Sequence, residues 1–193
     1  MDKTSNMDNT TKKVIFLDID GTLAIPEETV PVPSALDVIR KARKKGHYVF
    51  LCTGRSYCLM SHFMEFGFDG APAYKLILMS PSMKNLDLCR PALEEEFQFC
   101  IQDITEHYVN CELINRKFNK GTAVRQICEH LCIPIENSIG FGDSMNDKEM
   151  LETVGLGICM ANGNEQMKQL ADDVCPAVTE DGIQKAFLKY HLV

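Results

Sequence analysis

Two short stretches set aspartates close together in sequence: Asp18-Ile19-Asp20-Gly21 and Gly142-Asp143-Ser144-Met145-Asn146-Asp147. Asp18 and Asp20 follow the apolar run VIFL at 14–17, which reads as a strand buried on both faces. Side chains two apart on an extended chain point the same way. Both carboxylates are therefore aimed into the crevice above the sheet edge, where ligands bind in open α/β sheets. Two carboxylates so close repel, and one pKa rises unless a cation lies between them. A divalent cation would answer that repulsion. The alternative is a solvated turn, because D-x-D-G also suits turns by composition.

Asp143 follows Gly142 and a short apolar strand at 138–141, so it too stands at the C-terminal end of a strand. Asp147, four residues on, falls on the first turn of the next helix, where negative charge is favoured and capping is the alternative role. Three Asp oxygens completed by water form a hard, octahedral oxygen site, which suits Mg²⁺. Thr53-Gly54-Arg55 ends a second buried strand and opens a helix, and its hydroxyl and backbone N–H groups make an anion site. Lys120, opening a later helix, adds a mobile point charge for the same anion. Taken singly, Thr53 is a cap and Lys120 a surface lysine. Together with the two carboxylate pairs they describe a site for a phosphate with a divalent metal.

Other readings of these residues fail on spacing. An EF-hand loop opening at Asp18 needs glycine at its sixth position and glutamate at its twelfth, where Leu23 and Thr29 stand. Lys120-Gly121-Thr122 has Lys and Gly in the wrong order for a P-loop, and neither G-x-G (140–142 and 155–157) has a third glycine at the dinucleotide spacing. Cys128 and Cys132 flank His130, but on a helix the two thiols share a face from which His130 points away. A structural metal is set aside there.

Positioning the chemistry requires a succession of strands and helices. Ser34 and Asp37 form S-x-x-D, a capping-box-like start after Pro33. Ala35, Val38, Ile39 and Ala42 repeat at helical spacing, so an amphipathic helix is predicted over 35–45, stopped by Gly46. A strand at 48–52 and a helix over roughly 56–66, closing at Gly67, complete a right-handed parallel unit. The last third repeats the rhythm, with helix 121–132, strand 138–141, helix 146–153, strand 156–160, helix 164–171, a short strand near 174–175 and helix 182–190. Between them, 71–118 reads as an α+β insertion: one strand (YKLILM), a helical stretch near 83–97, and alternating segments near 99–104 and 108–114 that suit an antiparallel pair. The fold class is α/β. A Rossmann-like three-layer core with a parallel sheet occupies 13–70 and 119–193, a small α+β cap occupies 71–118, and 1–12 is a flexible polar tail.

The 193 residues carry 20 Lys+Arg against 27 Asp+Glu, a formal charge of −7. That balance excludes a generally basic nucleic-acid binder while leaving room for a local phosphate pocket. No apolar run approaches the roughly 18 residues of a membrane span, and the polar start carries no secretory segment. Nine cysteines, without C-x-x-C pairs and mostly inside apolar runs, read as reduced, buried thiols and point to a cytoplasmic protein.

DIDGT at 18–22, TGR at 53–55, Lys120 within NKGTA and GDSMND at 142–147, in that order, resemble the four motifs of the haloacid dehalogenase-like phosphohydrolases. LGICMANGNEQMK and TEDGI are similar to the C-terminal pattern of the Cof-type branch, whose cap is inserted between the second and third motifs. The resemblance covers about 13–70 and 115–193. It implies a Mg²⁺-dependent phosphatase acting on small phosphorylated metabolites, sugar phosphates foremost, through an aspartyl-phosphate. On this resemblance Asp18 would be the nucleophile, and Asp20 would protonate the leaving oxygen and then activate water. Asp18, Asp143 and the Asp20 backbone carbonyl would hold Mg²⁺, with Asp147 and Asn146 near the metal. Thr53, the Gly54 amide and Lys120 would grip the phosphoryl oxygens. The chemistry agrees, because a carboxylate attacks a phosphate only when metal and lysine neutralise the phosphoryl charge.

Residues 71–118 are fewer than that branch's cap, and the N-G-A-like turn usual after Phe68-Asp69-Gly70 is absent, so the front half of the cap is missing. A shortened cap bears on substrate choice and on water exclusion. Two alternatives stand beside the phosphatase: a phosphomutase or phosphotransferase of the same fold, and a catalytically weak regulatory protein that binds metal or phosphate. The exposed sheet edge also leaves room for a homodimer in which a second copy covers it.

Overall fold

The runs Val14–Leu17 and Leu156–Met160 hold no side chain that must reach water, and every residue in both is buried. Around them, the computed structural model describes residues 11–55, 61–68 and 76–193. The described chain runs β1 (Val14–Leu17), α1 (Pro33–Lys44), β2 (Tyr48–Leu51), a 3₁₀ turn (Ser61–Phe66), β3 (Leu76–Ser80), α2 (Met83–Leu93), β4 (Phe97–Ile104) and β5 (Val109–Asn115). It continues through α3 (Lys120–His130), β6 (Ser138–Gly142), α4 (Lys148–Thr153), β7 (Leu156–Met160), α5 (Glu165–Leu170), β8 (Asp173–Cys175) and α6 (Gly182–Lys189).

Five strands form a parallel sheet in the order β2-β1-β6-β7-β8. The strand period of two divides β1 between two cores. Ile15 and Leu17 pack with Ala35, Val38, Ile39 and Ala42 of α1 and with Ile183, Ala186 and Phe187 of α6. Val14 and Phe16 pack on the other side with Val124 and Cys128 of α3 and with Met150 and Leu151 of α4. Three layers result, as the sequence predicts. Strand β1 lies between β2 and β6, with Leu17 in register with Leu51 and Phe141. The segments leaving those three strands therefore emerge side by side at one sheet edge, the crevice where the order reverses.

The intervening segment builds its own antiparallel sheet in the order β3-β5-β4. Leu86 of α2 closes one face of it over Val109, Cys111 and Leu113. Among the described residues β3 pairs only with β5, while β4 carries an irregularity between Ile101 and Asp103.

Several local expectations are corrected. Ser34 does not cap α1. Pro33 takes the first helical position, where its missing N–H has no helical partner to lose, and Val32 is the N-cap. The Ser34 hydroxyl instead donates to Asp181 Oδ1 (2.6 Å), and Asp37 accepts from Lys41 Nζ (2.6 Å). Of the helix expected over 56–66, residues 56–60 lie outside the described residues, and Ser61–Phe66 is a 3₁₀ turn. Helix α2 stops at Leu93 and β4 begins at Phe97, earlier than the alternating pattern indicates. The helix expected over 146–153 opens as a 3₁₀ turn, Met145–Asp147, before α4. Of the tail expected over 1–12, residues 1–10 lie outside the described residues. The eight described cysteines are free thiols, and among the described residues no helix is long and apolar enough to cross a membrane.

Candidate active site

Asp18 is the first residue beyond β1, and its amide donates to the Phe141 carbonyl (3.0 Å), which ties it to β6. The residue is 3% exposed. Lys120 Nζ donates to Asp18 Oδ1 at 2.6 Å and to Asp147 Oδ1 at 2.5 Å, bridging two carboxylates from different loops. The lysine reaches them because α3 begins in the right place. Asn119 Oδ1 accepts from the Thr122 amide (2.8 Å) while Thr122 Oγ1 accepts from the Asn119 amide (2.9 Å), a reciprocal capping box. Gly121 lets this first turn lie directly on α4, since a Cβ there would stand 2.5 Å from the Glu149 carbonyl oxygen and 2.7 Å from Thr153 Oγ1.

Asp147 serves as both cap and counter-charge. Its Oδ2 accepts from the amides of Asp143 (3.0 Å) and Ser144 (3.2 Å), leaving Oδ1 for Lys120. Asp143 sits against Gly21, whose φ of +74° and lack of a side chain leave room for the Asp143 carboxylate. One oxygen from each of Asp18, Asp143 and Asp147 lies within 4.8 Å of the others. Burial pushes Asp18 upward despite the opposing charge of Lys120, and burial with the nearby Asp147 charge pushes Asp143 up to about 6. Burial alone would lower Lys120, but the Asp18 and Asp147 carboxylates outweigh it and hold the ammonium charged. Three crowded carboxylates against one ammonium leave negative charge uncompensated. That all-oxygen donor set fits Mg²⁺.

Asp20 stands apart from this cluster. Beyond β1 the chain turns, with the amides of Thr22, Leu23 and Ala24 all directed at the Ile19 carbonyl, so the strand alternation that would align Asp18 with Asp20 ends there. Arg55 grips Asp20 through two bonds, Nε to Oδ2 (2.9 Å) and Nη2 to Oδ1 (2.5 Å). The same guanidinium donates to the Glu28 carbonyl (3.1 Å) and lies 5.2 Å from the Phe63 ring centroid. The bonds from Arg55 hold the Asp20 carboxyl below the usual carboxylate range despite its partial burial. Thr53 Oγ1 accepts from the Arg55 amide (3.0 Å), Gly54 is exposed, and the Asn146 amide oxygen accepts from the Ser144 hydroxyl (2.7 Å) at the surface.

Sequence reasoning quotes Arg55 only as part of a motif and omits Asn162. Asn162 Nδ2 donates to the Gly21 carbonyl and its Oδ1 accepts from the Val178 amide, both at 2.8 Å, so it pins the loop after β1 to the segment after β8. Its place two residues beyond β7 on the same sheet edge is the signal that could have found it. Arg55 offers a comparable signal, a cation directly following Thr53-Gly54.

Known proteins are similar to this chain in sequence and in fold. Phosphatase YwpJ of Bacillus subtilis is 42% identical over 84 residues, which cover 44% of this chain and 29% of YwpJ, so the match spans less than a third of that relative. YkrA of the same organism is 24% identical over 248 aligned residues, covering 90% of this chain and 96% of YkrA. An alignment of 248 positions exceeds the 193 residues available, so YkrA carries material with no counterpart here. The solved structure of a hypothetical protein from Geobacillus kaustophilus HTA426 shares the fold, with a TM-score of 0.75 at 23% identity over 95% of this chain and 100% of that one. The family model for haloacid dehalogenase-like hydrolases matches residues 15–71 and 65–187, its two segments overlapping at 65–71, before β3. With the ordered motifs gathered at one sheet edge and the family match spanning most of its length, the chain belongs to the haloacid dehalogenase-like hydrolases.

Proposed function

We propose that the chain is a Mg²⁺-dependent phosphatase of small phosphorylated metabolites, sugar phosphates foremost, working through an aspartyl-phosphate on Asp18. The observation that carries this reading is the setting of Asp18: a buried carboxylate at the end of a central strand, 2.6 Å from a lysine ammonium and beside two further carboxylates. The name of YwpJ, a phosphatase, supports hydrolysis of a phosphoric ester.

Lys120, Thr53 and the Gly54 amide bind the phosphoryl oxygens and fix the phosphorus before Asp18. An Asp18 oxygen attacks phosphorus as the bond to the leaving oxygen breaks, and Asp20 gives that oxygen a proton. Asp20, now a carboxylate, takes a proton from water. The water oxygen attacks phosphorus, the bond to Asp18 breaks, and inorganic phosphate leaves. The two bonds from Arg55 favour the carboxylate form of Asp20. To act as the acid Asp20 must carry a proton, and the paired grip then loosens to one bond. Asp18, Asp143 and the Asp20 backbone carbonyl would hold Mg²⁺, with Asp147 and Asn146 nearby, and the bound ion supplies Lewis-acid neutralisation of phosphoryl charge.

A panel of phosphorylated metabolites, with p-nitrophenyl phosphate as a generic substrate, tests the reading. Turnover is expected with Mg²⁺, abolished by EDTA and restored by added Mg²⁺. Hydrolysis unaffected by EDTA, or absent on every phosphomonoester with Mg²⁺ present, would overturn it.

A further inference from the structure

We infer a second anion site, at the opposite end of the parallel sheet from Asp18, that binds a phosphate-type oxyanion. At the N-terminal ends of β1 and β2, a cleft of about 430 Å³ is lined by Lys12, Arg43, Lys44, Gly46, His47 and Tyr48. Three of the six carry positive charge, a fourth is a histidine, and among the described residues no carboxylate lines the cleft, in a chain of net charge −7.

The helix dipole explains only part of this. Cations in the last turn of α1 suit its carbonyl end, and Lys41, Arg43 and Lys44 all lie there. Lys41 is also paired with Asp37 (2.6 Å), and Lys45 donates to the carbonyls of His191 (2.9 Å) and Val193 (3.1 Å). Lys12 comes from the other side, preceding β1, yet is brought against the α1–β2 turn: its Cε lies 3.7 Å from where a Gly46 Cβ would stand. Lys12 and Lys44 are exposed and have no ion-pair partner among the described residues. Lys12 is not on α1, so the helix dipole does not account for its charge there.

His47 is the second, independent observation. The residue is 8% exposed, and its Nδ1 accepts the Lys13 amide (3.0 Å). That bond fixes the neutral ring with its proton on Nε2. No acceptor for Nε2 is present among the described residues, Nε2 is not among the unpaired atoms sealed from water, and the residue lines the cleft. An N–H donor on a largely buried histidine, in a cleft shared with two unpaired ammonium groups, matches an acceptor-only, multiply charged anion. A carboxylate from the protein would meet the same need, and among the described residues none lines the cleft.

The test is a two-dimensional ¹H–¹⁵N spectrum of the full chain titrated with inorganic phosphate in EDTA, against chloride at equal ionic strength. Saturable shifts are expected at the amides of Gly46, His47 and Tyr48. In Lys12→Ser/Lys44→Ser the midpoint should move up about tenfold, the combined contribution of two exposed charge pairs. Both lysines are exposed, and spectral dispersion reports the fold of the variant directly. Lys44→Glu alone should remove the local shifts. Shifts confined to the surroundings of Asp18, Thr53 and Gly54, or an unchanged midpoint in the double variant, would overturn the inference. Because the readout is local binding, its failure would leave the hydrolytic reading untouched.

Discussion

Replacing Lys120 by methionine would leave Asp18 and Asp147, 3% and 0% exposed, facing each other without the ammonium that bridges them at 2.6 and 2.5 Å. Removing one partner of a buried ion pair costs about 3–5 kcal/mol, because the charge left behind is neither solvated nor paired. Here one substitution strips two carboxylates. Asp147 keeps two amide donors on its other oxygen, so the cost stays within about 3–5 kcal/mol rather than doubling. That is a large share of a typical total stability of about 5–15 kcal/mol. The pH dependence has a definite sign. Without the cation, the buried Asp18 carboxyl of the folded variant stays above the ordinary 3.8 of an Asp, with the lowering effect of Lys120 gone. The folded variant then binds more protons than the unfolded chain, so the lost stability returns as pH falls through the raised folded value. Urea unfolding followed by circular dichroism, in EDTA at pH 7.5 and 5.0, measures the difference from wild type at each pH. The deficit should be several kcal/mol at pH 7.5 and clearly smaller at pH 5.0. A deficit below about 1 kcal/mol at pH 7.5, the range of an exposed pair, or one that does not change with pH, would refute the argument.

Gly121→Ala places a Cβ 2.5 Å from the Glu149 carbonyl oxygen, so α3 must move off α4; a loss of about 1–3 kcal/mol in thermal or urea unfolding is expected, with a lowered kcat because Lys120 moves too. Arg55→Ala frees Asp20 from its two-bond grip, and kcat on p-nitrophenyl phosphate should fall about ten- to a hundredfold with KM changing much less. Unchanged kcat would show that Asp20 needs no positioning. His47 is held below its ordinary 6.5 by burial and by the charges of Lys45 and Lys13, so its contribution to stability is full above pH 6.5 and declines as pH falls below it. Unfolding curves of wild type and His47→Gln between pH 7.5 and 5.5 should converge toward the acid end.

The strands and the site were legible for the same reason. Strands β1 and β7 are apolar throughout because both faces of a central parallel strand are covered, and a run without polar alternation signals that directly. Asp18, Lys120, Asp143 and Asp147 sit at strand ends and helix starts, positions that local pattern specifies well. At Ser34, S-x-x-D and an N1 proline are competing local signals, and the proline takes the helix start. The Asp20–Arg55 grip joins residues 35 apart and depends on where the chain turns after β1, information that no local window contains. The close packing of Gly121 on α4 likewise exists only once two helices have docked.

Whether the phosphoryl group passes through Asp18 is the central claim, and trapping it tests that most directly. Enzyme quenched during turnover of a phosphomonoester with Mg²⁺ and reduced with borohydride should yield homoserine at position 18, read by peptide mass spectrometry, and none in Asp18→Asn. Homoserine at another aspartate, or full turnover by Asp18→Asn, would contradict the account.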